Sequence, residues 1–61
     1  MLKPVSDLLS CARLCAREPG KVGDAGTSVM SFLVLHLKES VVTVPRELEK
    51  HVKTIEKFCG G

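Results

Sequence analysis

The stretch Thr27–Val44, TSVMSFLVLHLKESVVTV, decides the fold. Met30, Leu33, Val34, Leu37 and Val41 recur at helical spacing and make one stripe, while Phe32 and Leu35 fall on the opposite side at about 100° per residue. A segment that is apolar nearly all round is a buried central helix, a strand, or an element with a second contact surface. Its length favours a helix over 28–40, with Thr27 or Ser28 as the cap. Val41-Val42-Thr43-Val44 is rich in β-branched residues and reads as a short strand or an extended linker.

On the N-terminal side, Pro19 to Gly26 (PGKVGDAG) holds three glycines in eight residues and reads as a flexible loop. Before it, residues 3–18 carry Val5, Leu8, Leu9, Ala12, Cys15 and Ala16 at i, i+3, i+4, i+7 spacing, the stripe of a first helix with Pro4 in its first turn. On the C-terminal side, Leu48, Val52, Ile55 and Cys59 line one face of a third helix over 44–58. The expectation is one domain spanning 1–61, an all-α fold of three helices with a frayed tail at 59–61. The alternative is an α+β fold in which 29–37 and 41–44 pair as a central hairpin between two helices.

Size and composition limit the function. Sixty-one residues, 44% hydrophobic and 26% charged with a net charge of +2, describe an ordinary globular chain. A domain this small has a marginal core and is commonly helped by disulfides, a metal or a partner subunit. It also has little room for a pocket of several hundred Å³, so neither an enzyme nor a small-molecule substrate is expected. Trp and Tyr are absent and only Phe32 and Phe58 are aromatic, which leaves no platform for stacking bases or sugars. The apolar run Val29–Leu37 is far shorter than a membrane span and is interrupted by Ser31 and His36. Met-Leu-Lys-Pro followed by polar Ser6 and Asp7 is not the plan of a secretion signal, so a cytoplasmic setting with reduced thiols is expected.

The residues that suggest chemistry give weak patterns. Cys11, Cys15 and Cys59 are an odd number and do not close a disulfide framework, and an i, i+4 bridge between Cys11 and Cys15 would be strained. Cysteine packs readily in cores, and no metal or other cofactor is expected. His36 and His51 stand on different segments without a carboxylate at relay spacing. Lys21 sits at the wrong end of its glycine-rich run for a phosphate loop. Gly60-Gly61 matches neither a ubiquitin-like modifier, which opens with a β-hairpin, nor a double-glycine leader, which precedes a core peptide. It reads as a helix end.

Two surfaces remain. Leu14, on the polar side of the first helix, together with Phe32 and Leu35, is more apolar surface than a three-helix monomer needs. These three are the expected contact of a non-enzymatic interaction module, a homo-oligomer or a subunit of a hetero-complex. Arg46, Lys50, Lys53 and Lys57 recur at i, i+4, i+7, i+11 and form one basic row opposite the apolar stripe. That row suits a polyanion. The alternative function is therefore a small nucleic-acid-binding protein of helix-turn-helix type reading with its third helix.

Overall fold

Val5, Leu8, Ala12 and Cys15 follow one another at intervals of three and four, and all four are buried along one stripe of helix α1, Val5–Ala16. The structure is a computed structural model and describes residues 2–60. Pro4 stands immediately before α1 with φ −68°, where its missing N–H leaves no bond unmade. At the other end the amides of Arg17 and Glu18 fold back onto the carbonyls of Leu14 and Cys15. Gly20, at φ 79°, then turns the chain through a conformation that side chains rarely adopt.

The expected loop at 19–26 is a helix from Lys21 onward. Helix α2 spans Lys21–Leu33, about seven residues earlier than the stretch 28–40 had suggested. Its glycines are contact residues. A Cβ on Gly26 would stand 2.6 Å from the carbonyl oxygen of Ala12 and 2.8 Å from the carbonyl carbon of Cys15, and one on Gly23 would collide with the carbonyl of Glu18. The two helices therefore run antiparallel with their backbones in close approach. Val22, Gly26, Val29 and Leu33, at i, i+4, i+7, i+11, form the stripe that packs on α1 and α3, and Val29 and Leu33 are fully enclosed.

Beyond Leu33 the helix tightens into a single 3-10 turn, Val34–His36. The chain then straightens into strand β2, Val41–Thr43, which pairs antiparallel with strand β1, Leu2–Pro4. The register sets Leu2 opposite Thr43, Lys3 opposite Val42 and Pro4 opposite Val41. The strand within 41–44 is present, but it pairs with the N-terminus, and 29–33 is helical. Val42 and Val44 turn inward and close the core over the helices.

Helix α3, Arg46–Gly60, completes the three-helix domain and buries Val52 and Ile55. Its last turn is tied to α1 by a disulfide between Cys11 and Cys59. This corrects two expectations. An odd cysteine count forbids a fully paired set but not one bridge, and the tail expected to fray from residue 59 is tethered at Cys59 and helical through Gly60. Gly61 lies outside the described residues. The bridge also removes the reduced-thiol premise of the cytoplasmic expectation for Cys11 and Cys59. Cys15 is the free thiol, fully buried with its Sγ directed at the carbonyl of Ile55.

Candidate functional site

The four basic residues of α3 are all exposed, on the side of the helix turned away from Val52 and Ile55. From Arg46 to Lys57 the row runs about 16 Å at 1.5 Å per residue. Like charges at i, i+4 repel by a few tenths of a kcal/mol, so the row is a small cost to the isolated helix. Among the described residues, none of Arg46, Lys50, Lys53 or Lys57 lies within 4.0 Å of a carboxylate. The flanking acid Glu56 is taken by Lys3, whose Nζ donates to its Oε2 at 2.6 Å across the side of the helix that faces β1.

Folding adds residues that the linear pattern does not contain. The first turn of α2 lies beside α3, and a groove of about 350 Å³ between them is lined by Lys21, Asp24, Ala25, Lys50, His51 and Thr54. Lys21 thus joins Lys50 on one surface, which they share with the acid Asp24. Thr54 spends its hydroxyl on the carbonyl of Lys50. Lys21 stands far from the row in sequence, and only the packing of α2 against α3 reveals it.

The three apolar residues expected at one contact are not brought together. Leu14 is 54% exposed and lies on α1 beside Ser10, Arg13 and Arg17. Leu35, at 77%, belongs to the 3-10 turn that follows α2. Because α1 and α2 are antiparallel, that turn is carried to the opposite end of α1 from Leu14. Phe32 is half-buried against the core, and its ring packs on His36 at 4.7 Å between centroids. The apolar surface lies instead around the ribbon. Val34, Leu35, Leu37 and Val41 are exposed within eight residues, and Leu2 shares the outer face of the ribbon with Val41.

The remaining polar groups are locally engaged. His36 Nδ1 lies 2.6 Å from Glu39 Oε2 on the surface. Burial pushes the Cys15 thiol above its ordinary pKa and the charge of Glu18 adds to the effect, which keeps it in the unreactive protonated form. Among the described residues no three His, Cys, Asp or Glu side chains gather as a metal site, and no helix is long and apolar enough to cross a membrane. The helix-turn-helix expected to read with the third helix is not formed, because twelve residues holding a 3-10 turn and a strand separate Leu33 from Arg46. No protein-family model, characterised protein or solved structure matches the chain.

Proposed function

We propose that this is a small non-catalytic binding module whose α3 lies against the phosphate backbone of a nucleic acid. The observation that carries this reading is the row Arg46, Lys50, Lys53 and Lys57, four exposed cations on one helix face with no carboxylate partner among the described residues. Its length of about 16 Å matches the axial rise of roughly five phosphates along one strand. Lys21 widens the cationic surface at the Lys50 position. With no Trp or Tyr and no tight turn leading into α3, the contact is with the backbone and is tolerant of sequence.

Titration of a labelled duplex at several salt concentrations tests this. Four neutralised phosphates give a slope of log K against log salt near −3.6, from about −0.9 per phosphate. Replacing Lys50 and Lys53 with Gln brings the slope to about −1.8 while the helical circular dichroism stays unchanged. Absence of binding at low salt, or binding indifferent to salt, rejects the reading.

Self-association is the second reading, favoured by a separate observation. Among the described residues, five of the seven exposed large hydrophobic ones, Leu2, Val34, Leu35, Leu37 and Val41, lie on the ribbon and the turn leading into it. A core of this size gains from such a contact. Sedimentation velocity reports it as a doubling of mass, and the mass of a single chain at every concentration rejects it.

A further inference from the structure

The ladder between β1 and β2 leaves one strand edge open. The amide of Val5 donates to the carbonyl of Ser40 at 2.9 Å, and this pair continues the register in which Lys3 faces Val42. In an antiparallel ladder hydrogen-bonded and non-bonded pairs alternate. Lys3 and Val42 are therefore the bonded pair, and the backbone groups of Leu2 and Pro4 on one strand, and of Val41 and Thr43 on the other, point away from the ribbon. Neither Val41 nor Thr43 makes a backbone hydrogen bond to another segment among the described residues, and both are exposed.

The two edges differ. On β1, Pro4 has no N–H to offer, and proline is a common means of blunting an edge. On β2, the run Val41-Val42-Thr43-Val44 has no proline and no charge. An uncharged β-branched edge with free donors and acceptors is a template for another strand.

We propose that β2 pairs antiparallel with β2 of a second copy of this chain about a two-fold axis at Val42. In that register Val41 faces Thr43 of the other copy, and Thr43 faces its Val41. The two residues with outward backbone groups become the bonded pairs, and four inter-chain hydrogen bonds satisfy all of them. Shifting the register toward the N-terminus brings in Glu39, whose amide is already committed to His36. Shifting it toward the C-terminus brings in Pro45, which has no N–H and whose carbonyl already accepts from Leu48. The strand thus fits itself best in one register. Because the β1 edge is blunted, pairing stops at a four-stranded sheet of two chains and does not grow into a fibre. The proposal deepens the self-association reading and is independent of the basic row on α3.

The experiment is sedimentation velocity of the full chain across concentrations up to the millimolar range, beside amide hydrogen exchange at low and high concentration. The expected results are a concentration-dependent dimer and slower exchange at Val41 and Thr43 in it. Thr43→Pro removes an outward N–H without touching the internal ladder and keeps Val42 extended. It deletes two of the four inter-chain bonds and weakens dimerisation by about tenfold or more, while Thr43→Val leaves it intact. A chain monomeric at every concentration overturns the proposal and the self-association reading together. A dimer in which Val41 and Thr43 exchange as fast as in the monomer overturns edge pairing alone. If Thr43→Pro does not fold, the exchange measurement on the wild-type chain decides.

Discussion

The carbonyl oxygen of Ala12 lies 2.6 Å from the point where a Cβ on Gly26 would stand. The atoms around that point, from Ala12, Cys15 and Ala16, all belong to the backbone of α1, so no side-chain rotation makes room. Gly26→Ala therefore forces the two helices apart, and overpacking of this kind costs about 3 kcal/mol. Gly60→Ala meets nothing within 4 Å and serves as the control. Urea unfolding of both variants checks the pair: a lowered midpoint is expected for Gly26→Ala alone.

The same glycines explain why the N-terminal half of α2 was hidden in the sequence. Gly20, Gly23 and Gly26 read locally as loop residues, yet Gly26 occupies the stripe position between Val22 and Val29. Reading glycine as an allowed small member of an apolar stripe would have moved the helix to its true start. The ribbon was hidden for another reason. Leu2–Pro4 is three residues long, and its partner lies some forty residues away, so no local pattern marks it. The basic row was legible because a single helix repeats it, whereas Lys21 reaches Lys50 only through tertiary packing. Leu14 and Leu35 each depart from the pattern of their own segment, and a local pattern carries no information on the distance between segments.

The bridge between Cys11 and Cys59 spans 48 residues of sequence. Closing a loop of that length in the unfolded chain is worth about 4 kcal/mol in the chain-entropy view. Against the marginal stability of so small a domain this is a large share. Reduction, or the double change of Cys11 and Cys59 to Ala, is expected to lower the thermal midpoint sharply. Mass spectrometry after maleimide labelling is the chemical check. The native oxidised chain takes up no label, and the denatured one takes up a single label at Cys15.

Lys3 and Glu56 approach within 2.6 Å, but their side chains are 26% and 42% exposed. Solvent screening at that exposure holds the pair to under about 1 kcal/mol. Lys3→Gln is expected to shift the urea midpoint slightly at low salt and not at all at high salt. A large loss that persists in salt would mean that the aliphatic stem of Lys3, packed over the inner face of the ribbon, matters more than its charge.

Cys15 gives the chain a stability that depends on alkaline pH. Its thiol is buried, and both burial and the charge of Glu18 raise its pKa above the ordinary 9.0. In the folded state the proton is held beyond the pH at which the unfolded chain releases it. The unfolded state then binds fewer protons, and the slope of unfolding free energy against pH is negative. The contribution is fully present below pH 9.0 and is lost as the pH rises toward the folded value. Lysines titrate in the same region, so the wild-type curve alone does not isolate the effect. Cys15→Ala leaves those lysines in place and adds a cavity penalty that does not change with pH. The difference between the two unfolding free energies is therefore expected to be flat up to pH 9.0 and to shrink above it. A difference that stays flat throughout would place the thiol in contact with water or with a positive charge, contrary to its position between α1 and the carbonyl of Ile55.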